Sequence, residues 1–371
     1  MPWRDRFYEF VTTRIARRSF RAWAARSVFL SPFARASAGT LFDLCAGFTY
    51  TQTLLACCRL DVFARVHERP RTPGEMARLT GLSTQAAELL MRAAASLDLL
   101  RARADGTYGL GLQGAALIEN PGVLAMIEHN ALLYRDLSDP VAALRQARPT
   151  GELARFWGYT ADGHDALLAS KTTDAYSQLM AVSQEMVADE VLDVISFADA
   201  RRLLDVGGGH GAFACAVARR WPHLSVGVFD LPAVAQAAAA AARAAGVEDF
   251  LACEGDFVTD QLPEGADVIS LVRVLHDHDD TVVLRLLERV RCALPANGTV
   301  VIAEPMRAKR GAAARAMDAY FGFYLRGMGR GRIRSVDEIA SLMQRAGFVE
   351  CRAKRTKVPL IASVLVGKCA K

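Results

Sequence analysis

The stretch "LLDVGGGHGAFACAVARRWP", residues 203–222, decides the fold. Leu203 to Val206 make a short apolar run broken only by Asp205. Gly207, Gly209 and Gly211 then fall at alternate positions, and a run of alanines and arginines follows. An apolar run of that length, stopped by glycines, reads as a strand, and the stretch after Gly211 reads as a helix. Residues without a Cβ let a ligand approach the backbone, and a helix N-terminus offers N–H groups that lack an intrahelical partner. The turn is therefore read as a binding turn. Its GxGxG spacing does not name the ligand, because dinucleotide enzymes carry GxGxxG in the same place.

Downstream the same rhythm repeats. "SVGVFD" (225–230), "FLACEGD" (250–256), "DVISLVRVL" (267–275), "GTVVIAEP" (298–305) and "ASVLVGKCAK" (362–371) alternate with helical stretches. Alternation of that kind predicts a mostly parallel, doubly wound α/β sheet over residues 199–371. Asp230 ends its strand about 20 residues beyond the glycines, where a ribose-binding carboxylate is expected. "CEGDF" puts Asp256 and Phe257 at the end of the next strand, placed to hydrogen-bond an adenine amino group and to stack on its ring. That feature favours S-adenosylmethionine over a nicotinamide cofactor. Arg273 is expected to hold the methionine end of the same cofactor.

Upstream the chain is helical. Residues 41–60, "LFDLCAGFTYTQTLLACCRL", carry apolar residues at helical spacing with almost no charge, which predicts a buried or subunit-facing helix. Thr72 to Leu100 reads as helix, turn at Gly81, and a second helix capped by Ser83; a turn at Asp105-Gly106 follows between short extended runs. That is the outline of a winged helix. Its would-be recognition helix offers only Arg92 as a cation against Glu88 and Asp98, too little to neutralise phosphates, so nucleic acid is not an expected partner. The organisation expected is an arm over 1–36, a winged-helix-like domain over 37–120, bridging helices over 121–198 and the sheet domain over 199–371.

Hydrophobic residues make up 52% of the 371 and charged residues 23%, the balance of a soluble globular enzyme. No apolar run is long enough to span a bilayer, "MPWRDRFYEF" lacks the apolar core of a secretory signal, and the eight cysteines form no CxxC, so a reducing cytoplasm is expected. The net charge of +5 is unevenly spread: residues 1–36 hold eight arginines among Trp3, Phe7, Tyr8, Phe20, Trp23, Phe29 and Phe33. Such an arm either docks on a partner subunit or lies at an anionic membrane surface.

After the fourth strand comes "HDHDD", residues 276–280. It fits the HxHxD opening of a metallo-hydrolase site, but all seven histidines lie at or before residue 278, so the downstream ligands such a site needs are missing and no metal is expected. Asp279 or Asp280 is expected to cap the following helix. His276 stands at the carboxyl edge of the sheet, where open α/β folds bind their ligands, and is a candidate site residue.

These phrases together resemble the class I S-adenosylmethionine-dependent O-methyltransferases of the caffeate and flavonoid type, from "LFDLCAGF" at Leu41 to the C-terminus. The resemblance implies a Rossmann-like catalytic domain behind a winged-helix-like dimerisation domain, hence a homodimer, with S-adenosylmethionine as methyl donor and S-adenosylhomocysteine as product. It implies that "HDHDDT" holds the general base, His276, with Asp277 assisting and Glu304 of "VVIAEPM" orienting it. Asp205, Gly207, Gly209, Asp230, Leu231, Asp256, Phe257 and Arg273 would bind the cofactor, and Met180, Phe321 and Tyr324 would line the acceptor. Two departures stand out. His278 replaces the family's tryptophan, and Ile333 in "GRIRS" stands where the plant enzymes often have a second orienting glutamate.

Within the family, "GTLFDLCAGFTYTQTLLACCRLDVF", "LLDVGGGHGAF", "VRVLHDHDD" and "MGRGRIRS" are similar to a carotenoid-methylating group. That implies an apolar acceptor, the tertiary hydroxyl of a 1-hydroxycarotenoid, and an enzyme that is cytoplasmic or peripheral to a membrane. A bacteriochlorophyllide, or a phenolic or polyketide hydroxyl, is the rival acceptor.

Overall fold

A computed structural model describes residues 2–147, 149–156, 184–308, 311–359 and 361–370. It falls into two compact units, residues 1–120 and 121–371.

The first unit is helical, with a two-stranded wing. Helices Trp3–Ala16 and Arg18–Arg26 precede a long helix, Ser31–Arg59. In helix Pro73–Thr80, Thr72 and Glu75 close a capping box and Gly81, at φ 74°, ends the helix in the left-handed region; Ser83 accepts from Ala86 N–H to start helix Thr84–Ser96. The wing is β1 (Leu100–Ala102) paired antiparallel with β2 (Tyr108–Leu110), its turn made by Gly106 at φ 79°. The winged outline thus forms from the residues expected to make it. Of the two alternatives for the helix over 41–60, buried or subunit-facing, the second fits: only Leu55 and Cys57 of helix Ser31–Arg59 are buried, while Phe42 and Leu44 are 69% and 75% exposed, so its apolar front half is an uncovered surface.

The second unit begins with helices Pro121–Asp136, Pro140–Arg145 and Glu152–Phe156. A seven-stranded sheet follows: β3 (Arg202–Val206), β4 (Ser225–Asp230), β5 (Phe250–Glu254), β6 (Val268–Val272), β7 (Thr299–Glu304), β8 (Phe348–Lys354) and β9 (Ser363–Cys369). Their spatial order is β5-β4-β3-β6-β7-β9-β8. The first five run parallel, while β9 lies antiparallel to β7 and to β8. Every residue of β6 is buried, as a central parallel strand requires. Two apolar layers cover the faces. One gathers Leu286, Leu287, Val290, Ile339 and Met343, the other Phe213, Ala214, Val217 and Ala238.

The strand order reverses between β3 and β6, and in such sheets ligands sit outside the carboxyl ends at that switch point. Two differences from the sequence reading have plain causes. β8 was not expected, because "FVECRAK" buries only its first residue and carries charge along an edge. β6 stops at Val272, because Arg273 adopts φ 60° and Leu275–Asp277 tightens into a 3₁₀ turn. Among the described residues no helix is long and apolar enough to cross a membrane.

Candidate active site

Two clusters lie along the carboxyl edge of the sheet. The first is built on the glycine turn. Gly207, Gly209 and Gly211 take φ of 69°, 57° and 76°, a region open to glycine at no steric cost. A Cβ on Gly207 would stand 2.9 Å from Val274 Cγ2, whereas one on Gly209 would meet nothing within 4 Å, so the turn is packed from behind and open in front. Asp230, at the end of β4, accepts from the N–H of Gly209 at 2.9 Å and from that of Leu231 at 2.8 Å. Burial raises its carboxyl above the ordinary range, against the pull of those two N–H groups.

Asp205 lies behind the turn, 1% exposed. Its Oδ1 accepts from Ser270 Oγ at 2.6 Å, and its Oδ2 is buried with no hydrogen-bond partner among the described residues. Burial pushes its carboxyl up to about 7, against the Ser270 hydrogen bond. At the end of β5, Asp256 Oδ1 accepts from Val258 N–H at 2.8 Å, an Asx turn that fixes the half-buried Phe257 beside the turn. Phe257 also meets the edge of the His278 ring, centroids 5.3 Å apart.

The second cluster joins the 3₁₀ turn after β6 to the end of β7. His276 is 7% exposed and Glu304 is 0% exposed. Glu304 Oε2 accepts from the His276 backbone N–H at 3.0 Å and lies 3.3 Å from its Nδ1, so one carboxylate oxygen grips both the loop and the ring. Asp277 Oδ1 lies 3.2 Å from His276 Nε2, yet it is not aligned for a hydrogen bond, and neither it nor Glu304 Oε1 has a hydrogen-bond partner among the described residues. Burial alone would lower the His276 pKa; the charges of Asp277 and Glu304 outweigh it, and the net shift is upward. His278 shifts the other way, because burial dominates. Asp279 caps helix Asp280–Ala293, accepting from the N–H groups of Thr281 and Val282.

Other expected residues fall nearby. Arg273 is held in the left-handed region by its N–H bond to Ala303 O, a backbone strain that marks functional segments, and its charge acts on His129, His276 and Tyr320. Phe321 and Tyr324 lie at the end of a π-helical turn, Ala316–Phe321, and in helix Gly322–Met328. Met180 lies outside the described residues. Ile333 is buried with Leu133, Leu153, Met317 and Leu325 in an apolar cluster, so that position is core.

Sequence reasoning passed over two features. His129 Nε2 lies 2.6 Å from Tyr324 Oη and Tyr320 Oη donates to Asn130 Oδ1 at 2.6 Å, joining helix Pro121–Asp136 to the π turn and to the helix after it. Burial, helped by Arg273, lowers the His129 pKa to about 4, so this imidazole is neutral near pH 7. The other feature is Arg334, 0% exposed, bonded to the backbone around His276. Its signal was the arginine-rich phrase "MGRGRIRS", to which no task was attached.

Residues 134–349 match the model of the O-methyltransferase domain, and residues 42–120 that of the O-methyltransferase dimerisation domain. The chain belongs to this O-methyltransferase family. Among its relatives, demethylspheroidene O-methyltransferase of Cereibacter sphaeroides is 44% identical over 94% of this chain and 91% of its own. Acetylserotonin O-methyltransferase of Mus musculus is 34% identical over 86% of each. A methyltransferase of calicheamicin biosynthesis, solved in its SAH-bound form, superposes with a TM-score of 0.73 at 27% identity, over 90% of this chain and 98% of its own.

This methyltransferase therefore has S-adenosylmethionine as its cofactor, and the first cluster fits it. Gly209 leaves open space before the turn, Asp230 keeps acceptor capacity beyond its two backbone bonds, and Phe257 stands beside the turn. The family match also supplies the dimerisation domain that the bare helix Ser31–Arg59 calls for.

Proposed function

We propose that this methyltransferase acts on the tertiary hydroxyl of a 1-hydroxycarotenoid, with His276 as general base and Glu304 as its orienting partner. The observation that carries the chemistry is the Glu304 carboxylate at 3.3 Å from His276 Nδ1 and 3.0 Å from the same residue's N–H. A carboxylate there keeps the proton on Nδ1 and leaves Nε2 as the basic atom, because a charged acceptor favours the tautomer that donates to it. Protonation at Nε2 is then favoured by the charges of Asp277 and Glu304, which raise the pKa of the ring.

Bound S-adenosylmethionine would supply an electrophilic methyl group, the electron pair of the broken S–CH3 bond staying on sulfur in S-adenosylhomocysteine. The chain has to hold the acceptor oxygen in line with that group and receive one proton. The hydroxyl's O–H bond breaks as its oxygen forms the ether bond, and the proton passes to Nε2. A tertiary alcohol is far less acidic than a phenol, so proton removal accompanies attack, and much of the acceleration comes from positioning. Asp230 would hold the ribose hydroxyls, the backbone of Gly207 and Gly209 would take the cofactor closely, with Leu231, Asp256 and Phe257 around the adenine and Asp205 behind the turn. Arg273 would hold the cofactor's methionine end.

The acceptor assignment rests on the 44% identity to demethylspheroidene O-methyltransferase over nearly the whole chain. Phe321 and Tyr324, with Tyr320 beside them, would line its pocket. An acceptor of that kind dissolves in lipid, and the exposed Trp3, Phe7, Phe10 and Trp23 among the arginines of residues 3–26 support an enzyme that works in the cytoplasm, peripheral to a membrane.

The test is methyl transfer from labelled S-adenosylmethionine to a 1-hydroxycarotenoid in detergent, run beside a bacteriochlorophyllide and a catechol, with His276→Ala as control. Label in the carotenoid ether, lost in the variant, is the expected result. Label in another acceptor overturns the substrate, and unchanged turnover in the variant overturns the base.

A further inference from the structure

We propose that Arg334 is a positioning residue for the catalytic histidine, holding the 275–280 loop so that His276 meets Glu304 and Asp277. The inference rests on the reading of His276 as base. Arg334 is fully buried, and its guanidinium hydrogen-bonds the backbone on either side of the base and the carboxylate of Asp280. Nη1 donates to Leu275 O at 2.7 Å and Nη2 to His278 O at 2.7 Å, while Nε donates to Asp280 Oδ1 at 2.8 Å.

The flanking residues work on the same loop. Arg332 N–H donates to His276 O at 2.9 Å, and its side chain pairs with both oxygens of Asp280 and with Glu338 Oε1 at 2.7 Å. Gly331, at φ 81°, runs so close that a Cβ would stand 2.0 Å from His276 O. Three carbonyls around the base, those of Leu275, His276 and His278, are thus each bonded from residues 332–334. The clamp also reaches Glu304's strand, because Arg307 N–H donates to Arg334 O at 2.8 Å, three residues beyond that carboxylate. One arginine therefore links the loop that carries the base to the segment that carries its orienting acid.

Burying a guanidinium is costly unless its donors are satisfied, and a planar fork meets two diverging carbonyls and a carboxylate where an ammonium cannot. A lysine keeps the charge and loses the fork. The pair of contacts at the base, 3.3 Å to Glu304 and 3.2 Å to Asp277, then lengthens. Two consequences follow for the reaction. Turnover falls, since a displacement near 1 Å costs on the order of 10²-fold. The pH limb set by His276 also moves to lower pH, since those two carboxylates are what raise its pKa.

The experiment uses the full chain carrying Arg334→Lys. It reads kcat against pH with labelled S-adenosylmethionine, the cofactor Kd by titration calorimetry, and the folded fraction by circular dichroism. The expected result is kcat lower by on the order of 10²-fold with cofactor Kd nearly kept, and the acid limb of kcat displaced downward. Asp280→Asn, which weakens the same clamp from its exposed side, is expected to shift the limb in the same direction by less, and it carries the test if Arg334→Lys does not fold. A folded variant with the wild-type kcat and acid limb overturns the proposal, as does activity lost only in proportion to unfolded protein. His276→Ala separates the two readings: if it retains turnover the base assignment fails, and if it alone abolishes turnover the base stands and the clamp fails.

Discussion

Residues 3–48 expose Trp3, Phe7, Trp23, Phe42, Leu44 and Phe48, apolar side chains that a folded chain normally hides, whereas the carboxyl edge of the sheet buries Asp205, His276, Glu304 and Arg334, polar groups that a folded chain normally shows. Burying a large apolar side chain contributes roughly 1.5–3 kcal/mol, so the first region leaves stabilisation unused until something covers it. A buried charge costs several kcal/mol unless it is paired, so the second region invests stability in groups held ready for chemistry. The first departure points outward to a partner surface and the second inward to a reaction. The dimerisation domain accounts for part of the first, and the His276–Glu304 pair, the proposed base and its partner, for part of the second.

The largest effect that would break this contrast is at the base. His276→Ala is expected to lower kcat by about 10²–10⁴-fold while cofactor affinity is nearly unchanged, read by labelled methyl transfer and by titration calorimetry. Next comes Asp230→Ala, expected to weaken cofactor binding by about 10- to 100-fold, the worth of charge-assisted hydrogen bonds. If the Kd of that variant equalled the wild type's, the ribose assignment would be wrong.

At the apolar surface, Phe42→Glu combined with Leu44→Glu should shift the protein from dimer toward monomer in sedimentation velocity, with the sheet unit still folded. A variant that stays dimeric would move the interface elsewhere. A smaller change is the pH response of the base. The proposed base acts as a neutral imidazole, so on that reading kcat should fall as pH drops through the His276 pKa, and that limb should lie above the ordinary histidine value; Glu304→Gln should move it down. The sign for stability is opposite in sense. A raised folded pKa contributes stability that is fully present below the unfolded value and lost as pH rises through the folded one, so the difference in stability between wild type and His276→Ala should shrink as pH rises. The smallest expected effect is at the arm, where Arg17→Gln alone should weaken binding to anionic vesicles in co-sedimentation by several-fold, at roughly 1 kcal/mol for one arginine near the surface. Equal binding by the variant would leave the arm to the partner subunit.

Much of the sheet unit was legible because its signals are local. Five parallel strands were recognised from apolar runs stopped by glycine, aspartate or proline, and the binding turn came from three glycines whose positive φ no other residue takes at so little cost. Asp230 was found because it ends a strand, and Glu304 because the family resemblance implies a glutamate at that place. β8 escaped because an edge strand with alternating charge carries no apolar period. For Phe42 and Leu44 periodicity marks an apolar stripe, but not which of the two expected covers, the same chain or a partner subunit, lies over it.

By itself, then, the sequence determined the class of the fold, the glycine turn and the histidine at the sheet edge, because strand, turn and cap preferences act between residues close in the chain. Tertiary structure alone decided that Glu304, 28 residues from His276, reaches both its ring and its N–H, and that Arg334, 59 residues from Leu275, holds the loop between them. Those contacts depend on parallel strands bringing distant segments to one edge, and hydrogen bonding there is fixed by position in space, which no local pattern records.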